Sequence, residues 1–243
     1  NDKVFYFTTC GWMMWNWLIS SLASKASIVL FDGSPFIPNY DNLFKIAQEE
    51  KINFFGTGAK YIDTLKNKKI NIKDNFILSD LKTIASTGSP LVNESFEYVY
   101  NFIKSDVHLA SISGGTDIVS CFVLGHPSLD VFSGEIQCAG LGMDVDVFDE
   151  EGNSINNEKG ELVCKSSFPS KPLYFWNDKD FKKYKETYFA NFNNVWCHGD
   201  YCKKTINNGF IIYGRSDATL NSAGIRIGTA ELYRVIENMS EIL

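Results

Sequence analysis

Several things are missing from this 243-residue sequence, and each absence narrows its class. There is no basic excess: 23 Lys and Arg stand against 29 Asp and Glu, a formal net charge of −6, which argues against nucleic acid as a main partner. No CxxC pair occurs among the six cysteines, and Cys197-His198 with Cys202 has no second ligand cluster to close a zinc site. Scattered thiols of this kind are expected to be reduced and the chain cytoplasmic. No apolar run is long enough to span a bilayer; residues 12–22 are apolar but broken by Asn16, Ser20 and Ser21. No internal repeat or low-complexity tract is present. The acid-rich stretch 130–161 and the lysine-rich stretch 60–82 are expected to be solvated surface.

What is present alternates between two periodicities. Residues 12–24 fit a buried helix, and residues 27–31 a short strand ended by the turn Asp32-Gly33-Ser34-Pro35. Helical spacing follows at Leu43, Phe44, Ile46 and Ala47, then a strand at 53–56 and helical spacing again at Tyr61, Ile62 and Leu65. A strand at 81–85, a helical face at Phe96, Val99, Tyr100 and Ile103, and a strand at 107–112 continue the alternation. This pattern predicts an α/β fold with a mostly parallel βαβ sheet. After Gly115 the pattern becomes β-rich, with short strands at 122–124, 135–139, 145–148 and 161–164, a hairpin tip at Asp149-Glu150-Glu151-Gly152-Asn153, and a small distorted barrel or second sheet expected. Residues 173–189 read as mixed helix and loop, and 231–239 as a helix.

Four segments carry polar chemistry. The run Ser113-Gly114-Gly115-Thr116-Asp117 follows a predicted strand, at the end of an α/β sheet where ligands bind. Thr116 suits a phosphate oxygen and Asp117 a magnesium ion. An ordinary turn with Asp117 capping a helix is the equal alternative. Ser113 also suggests a hydrolase nucleophile, but a nucleophile elbow needs glycine where Ser111 stands. Gly88-Ser89-Pro90 suits the wall of a flat ligand or a plain βα turn, since no phosphate-gripping lysine follows. Asp200, after His198 and Gly199, suits vicinal hydroxyls or a β-turn. A hairpin around Asn207-Asn208-Gly209 would bring Asp200 to Arg215. Arg215 and Arg226 sit in a glycine-punctuated stretch between a strand and an amphipathic helix, where guanidinium forks suit phosphate. His108 and His126 read as structural, and the Trp and Met residues at 12–17 as core or a tunnel wall.

Together and in this order, these pieces resemble the adenylate-forming (acyl-CoA synthetase) superfamily, and within it the acetoacetyl-CoA synthetases, to which Thr8-Thr9-Cys10-Gly11-Trp12 is also similar. The resemblance implies an adenine contact at Gly88, Ser89 and Pro90, and a nucleotide-lining role for Gly115. It implies phosphate contact at Thr116 and Arg226, magnesium at Asp117, ribose contact at Asp200 and Arg215, and a hinge pivot at Asp217. Ser113 and Gly114 would border the acid pocket, and Gly224 would lie near CoA. Asp117 replaces the family's Glu, and His198 its Thr. Gly114 stands where acetate-selective members carry an aromatic residue, so open volume for a longer acid is expected.

The implied reaction joins acetoacetate to CoA at the expense of ATP, through an acyl-adenylate, with small molecules as the only partners. A non-catalytic adenylate-binding module is the alternative from another class. The resemblance implies no particular oligomeric state. It divides the chain into a βαβ part at 1–118, a β-rich part at 119–216, and a hinge with the start of a mobile lid at 217–243. The family's phosphate loop and adenylation lysine are expected before Asn1 and beyond Leu243, so the sequence is expected to be a fragment, inert on its own.

Overall fold

The structure, a computed structural model, describes residues 2–218, 220–222 and 225–236, with only the backbone described for 220–222, 225, 226, 233 and 234. The chain forms two compact units, Asn1–Ile112 with Gly125–Gly134, and Ser113–Leu124 with Glu135–Leu243.

The first unit holds a five-stranded sheet of β1 (Lys3–Tyr6), β2 (Ser27–Val29), β3 (Phe54–Gly58), β4 (Thr83–Thr87) and β5 (His108–Ser111). Their order is β2-β1-β3-β4-β5, and each neighbouring pair is parallel, as the alternating pattern predicts. Parallel neighbours need crossovers. α1 (Met13–Ser20), α2 (Asn42–Glu49), α3 (Ala59–Asn67) and α4 (Asn93–Tyr98) lie along them in sequence. α2 buries Leu43, Phe44 and Ala47, and α3 buries Tyr61, Ile62 and Leu65, the helical faces legible in the sequence. These faces meet the sheet through aromatic rings: Phe44 stacks on Phe55 with centroids 4.8 Å apart, and Phe5 lies 5.2 Å from Phe55.

Local chemistry moves several boundaries. The helix predicted over 12–24 ends at Ser20 and tightens into a 3-10 turn at Ser21–Ser24. Ser20 and Ser21 donate their hydroxyls to the carbonyls of Trp17 and Leu18, and Lys25 closes the turn in the left-handed region at φ 61°. Such hydroxyl bonds compete with the helix for its carbonyls. The helical face running to Ile103 is α4 followed by a π turn at Val99–Ile103.

The second unit is antiparallel. β6 (Ser113–Gly115), β7 (Ser120–Leu124) and β8 (Cys138–Ala139) form one small sheet; β9 (Val145–Phe148), β10 (Lys159–Cys164), β11 (Trp196–Lys204) and β12 (Phe210–Arg215) form another in the order β12-β11-β10-β9. α5 (Lys182–Tyr188) packs beside β11, and β13 (Leu220–Ser222) pairs with β14 (Ile225–Ile227) ahead of α6 (Thr229–Ile236). The helix predicted at 231–239 starts two residues earlier, and its end lies outside the described residues. Separate sheets, not a barrel, are what the described residues form. Trp196 is the hub of this core, with Tyr188 stacked on it at 3.6 Å and Phe168 edge-on at 5.3 Å. All six cysteines are free thiols. Among the described residues no helix is long and apolar enough to cross a membrane.

Phe55 is fully buried where three rings meet, so Phe55→Ala should lower the unfolding free energy of the first unit by about 3–5 kcal/mol. Ile77, 78% exposed, should tolerate alanine within about 0.5 kcal/mol. Urea denaturation of both variants checks the contrast.

Candidate functional site

The site is built first by strand register. β11 and β12 are antiparallel, and Asp200 stands directly opposite Arg215, as the predicted hairpin requires. Arg215 Nη1 donates to Asp200 Oδ1 at 3.2 Å and to the His198 carbonyl at 2.9 Å. Its Nε lies 3.6 Å from Asp217 Oδ1. The Asp200 side chain is only 10% exposed, whereas that of Arg215 is 52% exposed. Burial pushes the Asp200 carboxyl above its ordinary value, while His198 and Arg215 pull it back. Desolvation wins that contest.

Thr116 and Asp117 enter from the turn between β6 and β7. No helix follows Asp117, so the helix-cap alternative falls. Tyr188, at the end of α5, donates its hydroxyl to Asp117 Oδ2 at 2.5 Å. Burial, then this bond, raise the tyrosine above its usual range. Because the Tyr188 ring is stacked on Trp196 with an interplanar angle of 15°, the core of the unit fixes the carboxylate. The other oxygen, Oδ1, faces Gly115: a Cβ there would collide with it and come within 2.6 Å of the His198 ring. Only glycine leaves room for both side chains.

These groups line one cavity of about 1180 Å³ in the second unit. Thr116, Asp117, Asp200, Arg215 and Asp217 all border it, together with the backbone of Gly114 and Gly115. Its wall is acidic, with Asp117, Asp149, Glu150, Glu151, Glu161, Asp200 and Asp217 set against Lys159 and Arg215. Among the described residues no group of three or more His, Cys, Asp or Glu side chains could hold a metal. No such group gathers around Asp117, so its carboxylate would meet a cation without a cage of protein ligands beside it. That arrangement suits magnesium, which takes one or two carboxylates plus substrate phosphates, and not a caged zinc.

Other expectations fall elsewhere. Gly88, Ser89 and Pro90 belong to the first unit, just past β4, with Gly88 at φ 88° against Trp12. Arg226 lies on β14 opposite Asn221, and its side chain lies outside the described residues, as does Gly224 altogether. The disfavoured hydrolase alternative finds no support: Ser113 begins β6 and pairs with Val123, so it sits in a strand and not on the sharp strand-to-helix turn a hydrolase nucleophile needs. One expectation is corrected, the open volume at Gly114: a Cβ would run into the Ser120 carbonyl and lie 2.6 Å from Cys121 Cα. Close approach of β7 requires that glycine.

Tyr188 and Glu161 are contributors that sequence reasoning missed. Tyr188 is 71 residues from Asp117, so no local pattern reports the pair. Glu161 left a signal, a lone acid opening the apolar run Leu162-Val163-Cys164. It is buried and accepts from Ser216 Oγ at 2.7 Å and Cys197 Sγ at 3.3 Å. Burial and the nearby Glu161 push the Cys197 thiol up to about 12.

No family model matches the chain. Individual proteins do. An acetoacetyl-coenzyme A synthetase of Rhizobium meliloti (strain 1021) is 56% identical over 241 residues, covering 99% of this chain and 37% of the relative. The acetoacetyl-CoA synthetase of Gallus gallus is 47% identical over 243 residues, covering 100% of this chain and 36% of the relative. The solved acetoacetyl-CoA synthetase from Streptomyces lividans superposes with a TM-score of 0.93 at 39% identity, covering 99% of this chain and 38% of that one. The anthranilate CoA ligase AuaEII, solved in complex with anthranoyl-AMP, superposes with a TM-score of 0.81 over 99% of this chain and 44% of its own; at 20% identity it shows the shared fold alone. The chain thus spans little more than a third of the length of the acetoacetyl-CoA synthetases it matches. In sequence and in fold, it resembles that part of the adenylate-forming acyl-CoA synthetases.

Proposed function

We propose that this chain is the nucleotide-holding part of an ATP-dependent carboxylate–CoA ligase that acts on acetoacetate. The observation that carries the reading is the single cavity bordered by the Asp200–Arg215 pair and by Thr116 and Asp117. The names of its relatives support the choice of acid. The segment works within a protein of its relatives' length.

In this reading a carboxylate oxygen of the acid attacks the α-phosphorus of ATP, and pyrophosphate leaves. The CoA sulfur then attacks the acyl carbon, the thiol proton passes to solvent, and AMP departs. Asp200 accepts hydrogen bonds from the two ribose hydroxyls, and Arg215 fixes the carboxylate that receives them. Thr116 donates to the α-phosphate. Asp117, steadied by Tyr188, would hold magnesium, which when bound offsets the charge growing on the phosphate oxygens. The acidic wall makes that neutralisation necessary, because a bare polyphosphate would be repelled. Arg226 on the phosphate, Gly88, Ser89 and Pro90 on adenine, and Gly224 near CoA complete the proposal from the family resemblance. Asp217, two residues after Arg215 in the chain, is the pivot on which residues 217–243 turn as a lid between the two half-reactions.

Three outcomes test this. In the enzyme of full length, Asp200→Ala should raise the KM for ATP in acid-dependent pyrophosphate exchange by roughly 100-fold, the size of two lost charge-assisted bonds. An unchanged KM would remove the ribose role. Asp217→Pro should slow thioester formation at least about tenfold more than adenylation, since only the second half-reaction needs the rotation. Equal loss in single-turnover assays of both steps argues against a pivot there. The third concerns pH. Burial raises the Asp200 carboxyl, so the folded chain holds more protons than the unfolded one above pH 3.8, and stability falls as pH rises through that window. Asp200→Asn should therefore raise the Tm at pH 7 relative to the parent and narrow the gap at pH about 4, by differential scanning fluorimetry.

A further inference from the structure

We propose that Lys159 and Glu161, on one face of β10, hold the two flanks of residue 217 with unequal strength: Glu161 anchors the segment before it, and Lys159 latches the helix after it. The proposal rests on the reading of Asp217 as a pivot and names the contacts that restrain it.

Residues two apart on a strand face the same way. Glu161 is 9% exposed, and its Oε1 accepts from Ser216 Oγ at 2.7 Å. Ser216 immediately precedes Asp217. Taking that donor away would leave a buried carboxylate short of a partner, so the bond resists opening. Lys159 presents the opposite case. Its Nζ lies 2.6 Å from Glu231 Oε2, in the first turn of α6, and 4.4 Å from the centre of the Tyr213 ring. The two side chains are 33% and 30% exposed, and ion pairs with that much water around them are weak and screened by salt. One contact is made to last and the other to release.

The seat beneath the latch is narrow. A Cβ on Gly228 would strike the Tyr213 carbonyl, and one on Gly214 would strike Thr229 Oγ1. The start of α6 therefore meets β12 almost backbone to backbone, and Lys159 clips the edge of that contact. Glu231 divides its carboxylate. Oε1 accepts from the Gly228 N–H at 2.9 Å, capping its own helix, while Oε2 takes the lysine. Releasing the lysine opens the latch and leaves the cap in place, so α6 can leave β12 as an intact helix.

Hydrogen–deuterium exchange of the enzyme of full length, read by mass spectrometry, tests the proposal without turnover. Lys159→Met keeps an unbranched side chain of similar length and removes the ammonium that lies over Tyr213 and pairs with Glu231. Exchange at residues 230–236 should speed up roughly fivefold, while β9 to β11 stay unchanged. Lys159→Arg should stay within about twofold of the parent, because the guanidinium keeps the pair. Raising salt from about 0.05 to about 0.5 M should speed exchange of α6 in the parent and not further in Lys159→Met. Ser216→Ala should speed exchange at 215–217 more than in α6. Unchanged α6 exchange in Lys159→Met, or equal salt effects in both proteins, overturns the latch; an inert Ser216→Ala overturns the anchor. A full-length protein without pyrophosphate exchange would defeat the ligase reading and leave these exchange rates as they are, so the two failures are distinguishable.

Discussion

Register between β11 and β12 is the constraint on which the second unit's chemistry depends. It sets Asp200 opposite Arg215, and the guanidinium bonds both the carboxylate and the His198 carbonyl two residues away. A slip of one residue would turn Asp200 to the other face of the sheet and break both bonds. The turn that fixes the register is reinforced at its base, where Thr205 and Asn207 both donate to Glu135. Behind the pair, β11 runs back to Trp196, on which Tyr188 stacks as it holds Asp117. One strand thus carries the proposed ribose acid at its middle and, through Trp196 at its start, positions the proposed magnesium ligand.

This strand and its neighbour β10 show how the placing of acids on the cavity wall trades against stability. Asp200 is buried far enough that desolvation outweighs the help of Arg215 and His198. Glu161, also buried, is served by a hydroxyl and a thiol. Buried acids of this kind cost folding free energy unless they are fully partnered. Their place on the cavity wall gives the expense a purpose, because hydroxyl donors of a ligand would complete the pairing that the protein leaves partial.

Much of this was legible in the sequence where the signal is local. The parallel sheet followed from alternating strand and helix periods, and the faces of α2 and α3 from Leu43, Phe44, Tyr61, Ile62 and Leu65. Gly-Asp followed by a turn and Gly-Arg sufficed to anticipate the Asp200–Arg215 pair. What escaped was non-local or steric. β1 gives no period of its own in four residues, and its place between β2 and β3 is set by pairing across the sheet. The π turn in 99–103 and the early end of α1 come from backbone competition that apolar spacing does not register. Gly114 misled for a related reason: a missing side chain reads as open space, whereas here the backbone of β7 fills it.

That distinction between space and contact also governs the proposed hinge. Gly214 and Gly228 are small so that β12 and α6 can touch, and contact between backbones has no long side chains to disentangle when it parts. Whatever holds such a joint closed must then come from its margin. Lys159 lies there, on the strand that also carries Glu161, so the proposed latch on α6 and the proposed anchor before residue 217 share one rigid element. A pivot between two such contacts turns about the stronger one. The order of strengths, buried hydrogen bond above half-wet ion pair, therefore decides which side of residue 217 moves.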